Sequence, residues 1–170
     1  TSIIIVIFNA YEYVKKCLES VLDLTDKKHE IIIIDNMSDA LTRDYIKSFR
    51  ENNRIQIILN NNNRLWLPAV NQGLEASSND SEYCLLLNSD IEVFDKAWIQ
   101  RLQKPMFENV SIGITGTHYN FLPIKPSYGA IDGCCFMFRR KLINRLGHFD
   151  DNYPWNGAPY IYTQRAWKAE

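Results

Sequence analysis

The stretch "SIIIVIFNAYEYVKKCLESVL", residues 2–22, changes its hydrophobic period within one short linker. Residues 3–8 are continuously apolar and mostly β-branched, which is the composition of a strand covered on both faces. Beyond Asn9, the residues Val14, Cys17, Leu18, Val21 and Leu22 recur at helical spacing and form one apolar helix face. A buried strand that feeds directly into an amphipathic helix is the first part of a parallel α/β unit.

The same rhythm continues along the chain. "EIIIID" at 30–35 is a second buried strand, ending on Asp35. Ser38 and Asp39 are placed to cap a helix whose apolar face is Leu41, Tyr45, Ile46 and Phe49. "IQIIL" at 55–59 runs into asparagines 60–63, a helix is expected over 67–76 with Pro68 in its first turn, and "YCLLL" at 83–87 is the fourth strand. Four strands alternating with three helices predict an α/β fold with an open, mostly parallel sheet flanked by helices and joined by right-handed crossovers. Past residue 94 the rhythm changes. A helix near 96–103, short strands near 112–115 and 134–138, a proline-containing loop at 122–127, a short helix at 141–146 and a terminal helix are expected. Residues 1–170 read as a single domain, with a Rossmann-like half over 1–93 and a smaller mixed half over 94–170.

Composition bounds the function. A chain of 170 residues with 46% apolar and 23% charged residues is ordinary for a globular protein and long enough to bury roughly 70% of its unfolded surface. The net charge of −1 provides no field that recruits nucleic acid or an anionic bilayer. The apolar runs at 3–8 and 31–34 fall far short of the roughly 20 residues that cross a bilayer. No secretory signal precedes the first strand, so a cytoplasmic location is expected. Cys17, Cys84, Cys134 and Cys135 lack CxxC spacing and read as reduced thiols. His29, His118 and His148 show no paired ligand spacing, which argues against a zinc site.

In an open parallel sheet, ligands bind beyond the carboxyl ends of the strands. The four strands end at Phe8 and Asn9, at Asp35 and Asn36, at Asn60–Asn63, and at Asn88 and Asp90, which puts hydrogen-bonding side chains on one rim. Asn and Asp also favour strand-to-helix turns whatever the function. Asn9 and Asn36 therefore read equally as structural, and the asparagine run reads more readily so. Asp35 and Asp90 are harder to dismiss, because each terminates a buried strand where a lone carboxylate costs desolvation energy. "FNAYEY" contains neither GxGxxG nor GxxxxGK[ST], which argues against a Rossmann dehydrogenase and a P-loop NTPase. Ser89 has no GxSxG elbow around it. Without a glycine loop, a diphosphate is most naturally held through a divalent metal bridged to a carboxylate.

Five segments, in order, resemble the family 2 glycosyltransferases of the GT-A fold, which move a sugar from a nucleotide diphosphate sugar to an acceptor hydroxyl. "SIIIVIFNAYEYVKKCLESVL" is similar to their opening strand and helix, and "EIIIIDNMSD" to their second strand with its base-recognising aspartate. "NRLWLPAVNQGLEAS" resembles their N-x-G-F-x-x-A-x-N-x-G segment, and "LLLNSDIEV" the N-x-D variant of their metal-binding DxD region. "GCCFMFRRKLINRLGHFDD" resembles the stretch behind their acceptor site. The resemblance implies that Phe8, Asn9 and Glu12 line the nucleotide pocket and that Asp35 hydrogen-bonds the base. It further implies that Asn63, Asn71, Asn88 and Asp90 face the ribose and diphosphate. Asp90 would be buried against Mg²⁺ or Mn²⁺. The implied partners are a nucleotide diphosphate sugar and a glycan or glycolipid acceptor, at the cytosolic face of a membrane by peripheral association.

Two departures stand out. Leu65 occupies a place where the family commonly has glycine, and Ala158 and Pro159 occupy the places of its acidic general base. The resemblance leaves Asp132, Asp150 and Asp151 as candidates for that base. A nucleotide-sugar-binding module without catalysis is one alternative. A nucleotidyltransferase is another, although "FNAYEY" lacks the Gly-rich basic loop such an enzyme carries. Trp155, Tyr160, Tyr162 and Trp167 read more readily as core than as an acceptor platform.

Overall fold

Every residue of the strand β1 (Ser2–Ile7) is buried, because β1 lies inside the sheet with a parallel neighbour on each side. The computed structural model describes residues 1–118, 131–150, 152 and 158–168. After β1 come α1 (Tyr11–Leu24), β2 (Glu30–Asp35), α2 (Ala40–Lys47), β3 (Ile55–Leu59), α3 (Trp66–Ala76) and β4 (Tyr83–Asn88). The remaining elements are α4 (Trp98–Glu108), β5 (Ile114–His118), β6 (Ile131–Arg139), α5 (Lys141–Leu146) and α6 (Ala158–Lys168). The sheet order is β3-β2-β1-β4-β6-β5. β1 to β4 are mutually parallel, whereas β6 runs antiparallel to both β4 and β5.

Strand alternation divides the isoleucine runs between two cores. Ile3, Ile5, Ile7, Ile31, Ile33, Leu85 and Leu87 meet Val14, Leu18 and Val21 of α1, Ile46 of α2, and Ile99 and Met106 of α4. Ile4, Val6, Ile32, Ile34 and Leu86 meet Leu67, Val70 and Leu74 of α3, Leu142 of α5, Phe149, and Tyr162 of α6. Each such side chain contributes about 1.5–3 kcal/mol through burial, so both faces must be apolar and the strands lose any polar alternation. The α3 backbone lies so close to the sheet that a Cβ at Gly73 would fall 2.6 Å from Ile4 Cγ2 and 2.8 Å from Ile34 Cδ1. That approach fixes the N-terminus of α3 above the ends of β1 and β2.

The first half follows the sequence reading closely. Asp39 caps α2 by accepting the Thr42 N–H at 2.9 Å, as its position predicts, a contact of about 1 kcal/mol. Beyond residue 94 the boundaries shift. Pro105 lies inside α4, which continues to Glu108; one proline removes a single helical hydrogen bond and here does not end the helix. β6 is longer than expected at its start, because beyond the stretch paired with β4, Tyr83↔Arg139 to Leu87↔Cys135, it continues along β5 to the pair His118↔Ile131. Arg139 and Arg140 then anchor the end of the sheet remote from the polar rim. Arg139 donates to the carbonyls of Ile112 and Met106, and Arg140 to Ser81 O and Ser77 Oγ. No helix among the described residues is long and apolar enough to cross a membrane.

Candidate active site

The carboxyl ends of β1, β2, β3 and β4 bring their polar residues to one rim. Asn9 and Ala10 leave β1 in the left-handed region, at φ 59 and 62, and Met37 leaves β2 at φ 71. Leu65, just before α3, has φ 68 and ψ 169, a conformation populated essentially by glycine alone. All four non-glycine residues with positive φ among the described residues therefore lie on this rim. The place where the family commonly has glycine keeps a glycine backbone with a leucine on it. Two hydrogen bonds from the amide chain described below hold the strained backbone in position.

That chain runs from α3 to the β2 exit. Asn60 and Gln72 exchange hydrogen bonds at 3.0 and 3.1 Å, and Asn60 Nδ2 also donates to Asn36 Oδ1 at 3.2 Å. Asn36 Nδ2 donates to Asn63 Oδ1 at 2.9 Å and to Leu65 O at 3.1 Å. Asn63 Oδ1 also accepts the Leu65 N–H at 2.8 Å. Asn9 joins β1 to α2, since its Oδ1 accepts the Asp39 N–H at 2.7 Å and its N–H donates to Ser38 Oγ at 2.9 Å.

These loops surround a cleft of about 530 Å³. Phe8, Tyr13 and Trp66 form its aromatic walls, and Asn36, Asn63, Asn88, Ser89 and Asp90 supply its polar lining. Phe8 is half exposed, as a stacking surface must be.

The two strand-end aspartates have opposite surroundings. Asp35 is fully buried and stands behind the cleft. Its Oδ1 accepts the Ser38 N–H at 2.9 Å, and its Oδ2 lies 2.7 Å from Arg43 Nε, an ion pair too bent to be a hydrogen bond. Arg43 in turn donates to Asn60 O at 2.6 Å. Asp90, expected to be buried, is exposed. β4 ends at Asn88, and a turn closed by the Ile91 N–H on Asn88 O carries the carboxylate out to the mouth of the cleft. A carboxylate without an internal cation stays in water, where desolvation costs nothing. Asp90 makes no hydrogen bond or ion pair among the described residues.

The other expected site residues are scattered. Glu12 is exposed in the first turn of α1, outside the cleft lining. Asn71 is buried and clamps the Phe149 backbone, donating to its carbonyl at 2.8 Å and accepting its N–H at 3.1 Å. Asp150 is exposed and accepts from Asn152 N and Nδ2. The side chain of Asp132 and the whole of Asp151 lie outside the described residues. Pro159 is buried in the first turn of α6, a position proline suits. A Cβ at Gly133 would fall 2.9 Å from Pro159 Cγ and 3.6 Å from Trp66 Cη2. The surroundings of Pro159 are thus a close-packed apolar junction. Tyr162 belongs to the core, stacked on Phe149 at 4.4 Å, whereas Tyr160 and Trp167 are about half exposed.

Tyr13 and Trp66 were not among the residues singled out from the sequence. Each had a signal, since one falls in the first helical turn after the first strand and the other stands three residues beyond the asparagine run on the rim. Beneath Asp90, Cys17 is fully buried. Burial first, and the negative charge of Asp90 second, push its thiol up to about 12. It is a protonated filler and donor at ordinary pH, not a nucleophile.

Residues 2–125 match the family described as Glycosyl transferase family 2. The chain belongs to that family. This family 2 chain is 25% identical over 121 residues to glycosyltransferase GlyG of Streptococcus pneumoniae, covering 71% of its own length and 39% of that protein. It is 32% identical over 96 residues to a poly-beta-1,6-N-acetyl-D-glucosamine synthase of Staphylococcus epidermidis, covering 56% of the chain and 23% of the synthase. The chain therefore spans well under half the length of these curated relatives. Among solved structures, the mannosyltransferase PcManGT of Pyrobaculum calidifontis, in complex with GDP-Man and Mn²⁺, superposes with a TM-score of 0.76 at 17% identity, over 99% of this chain and 51% of that one. TarS 1-349 of S. aureus in complex with UDP-GlcNAc gives 0.73 at 15% identity, over 99% and 53%. The fold is that of the GT-A glycosyltransferases, and family membership sets the nucleotidyltransferase reading aside.

Proposed function

We propose that this chain transfers a sugar from a nucleotide diphosphate sugar to the hydroxyl of a glycan or glycolipid acceptor, with inversion and with help from a divalent cation. The observation that carries this reading is Asp90, an exposed carboxylate with no partner among the described residues, at the mouth of an aromatic-walled cleft. Phe8, Tyr13 and Trp66 offer faces on which a base or a sugar stacks. Asn63 and Asn88 offer amide groups to the ribose and diphosphate. The known ligands of PcManGT and TarS, GDP-Man and UDP-GlcNAc, support a donor of this class. The synthase among the relatives supports an acceptor in polysaccharide assembly.

A cation fits this donor set in one way. No group of three His, Cys, Asp or Glu side chains that could hold an ion is found among the described residues, so Asp90 is the carboxylate we assign as its anchor, with Asn88 and Ser89 beside it in the cleft lining. Mg²⁺ and Mn²⁺ sites of this kind take one or two carboxylates, with substrate phosphates and water supplying the rest. When bound, the ion neutralises charge on the departing nucleoside diphosphate as a Lewis acid. Inversion further requires a base that takes the acceptor proton as the hydroxyl attacks, a role we assign to Asp132 or Asp151.

The test is sugar release or transfer from UDP- and GDP-sugars, with and without Mn²⁺, in the wild type and in Asp90→Ala. A true donor at a hundred times its dissociation constant also raises stability by about 2.7 kcal/mol. The reading fails if neither donor class binds. Pro159, packed where the family carries its acid, favours a second reading, a donor-binding module without turnover. Mn²⁺-dependent affinity with no product in any assay selects it.

A further inference from the structure

Asp90 makes no bond of its own among the described residues, so its position is set by what holds the chain on either side of it. Both holds come from α1. On the near side, Asn88 O accepts the Cys17 thiol at 3.6 Å as well as the Ile91 N–H at 3.3 Å. On the far side, the Val93 N–H donates to Ser20 Oγ at 3.0 Å. Ser20 in turn donates to Cys17 O at 3.0 Å. That back-bond inside the helix turns the hydroxyl proton away from the β4 exit and leaves a lone pair facing Val93. Val93 is buried and Ile91 packs against the same core as Cys17, so the loop is pinned by its apolar side chains too.

Resting on the donor and cation reading above, we infer that Ser20 and Cys17 are positioning residues that hold the Asn88–Val93 loop so that Asp90 presents its carboxylate to the cation. They touch neither donor nor metal. The loop would fold without them, but the carboxylate would sample many places at the cleft mouth. Removing residues that orient a ligand of a metal typically costs about 10–100-fold in metal affinity.

The experiment titrates Mn²⁺ into the full chain by electron paramagnetic resonance, in the presence of UDP and of GDP, and measures nucleotide affinity separately in EDTA. Ser20→Ala should raise the half-saturating Mn²⁺ concentration about tenfold with unchanged affinity in EDTA, and Ser20→Thr, which keeps the hydroxyl, should restore it. Should Ser20→Ala fail to fold, Cys17→Val fills the same buried space without a donor and carries the same expectation. The inference is overturned if the variant titrates Mn²⁺ like the wild type, or if it weakens metal-free binding to the same degree. Asp90→Ala separates the two levels of the proposal. If Asp90→Ala loses Mn²⁺ and the α1 variants do not, only the positioning role falls. If the wild type shows no Mn²⁺ uptake with either nucleotide, the donor reading and this one fall together.

Discussion

The exits of β2 and β4 flank β1 on the same rim, and each ends an apolar run with an aspartate, yet one carboxylate is sealed in protein and the other stands in solvent. The difference lies in what each loop meets. A short loop leads from the β2 exit into α2, and the Ser38 N–H of that loop and Arg43 of the helix converge on Asp35. The β4 exit is held by neutral groups of α1, the Cys17 thiol and the Ser20 hydroxyl, and among the described residues no cation pairs with Asp90. A strand-terminal aspartate is thus a structural brace where a cation on the following helix reaches it, and stays in solvent where none does.

Exchanging each carboxylate in turn breaks the comparison or sharpens it. The largest effect is expected at Asp90. Asp90→Ala should lower metal-dependent turnover about a thousandfold, the equivalent of several kcal/mol of charge stabilisation, while urea unfolding moves by less than about 0.5 kcal/mol. Asp35→Asn should do the reverse. It keeps an acceptor for the Ser38 N–H but strands Arg43, and chemical denaturation should register a loss of about 3 kcal/mol, the lower end for breaking a buried pair. Equal effects of both variants on stability would erase the distinction.

A smaller gain is expected beside the amide chain. Leu65→Gly removes backbone strain of about 1–3 kcal/mol against the roughly 1 kcal/mol entropic cost of glycine. A net stabilisation near 1 kcal/mol in thermal or urea unfolding is the expected result. The last effect is gradual and lies at the other end of β2. His29 is buried with Nε2 unpartnered, and burial pulls its pKa down to about 4. The unfolded chain takes up that proton near 6.5 and the folded chain only near 4. Stability from this group is therefore complete above pH 6.5 and is lost as the pH falls toward 4. Urea midpoints across that window should decline, and His29→Gln should flatten the slope.

The parallel half was legible because burial on both faces leaves no polar alternation, so "SIIIVIF" and "EIIIID" admit few other readings. The helix faces and the Asp39 cap were legible for local reasons. What was not legible depends on partners distant in the chain. Nothing in "IIIID" says that Arg43 will close on Asp35, and nothing near Asn71 says that it will clamp the backbone at Phe149. The orientation of β6 was equally hidden, because hydrophobic period reports burial and not direction. Trp66, three residues beyond the asparagine run, carries a signal of its own, because a large aromatic on a strand-end rim offers a stacking face.

The join between the parallel and antiparallel parts of the sheet has a consequence for biosynthesis. β4 ends at Asn88, but its outer edge is covered only by β6, which begins at Ile131. At translation rates on the order of 10 residues per second, a ribosome exposes that apolar, unpaired edge for several seconds before its cover emerges. Nascent chains that carry the whole polar rim are therefore still sticky, and chaperone capture should peak over this interval of synthesis.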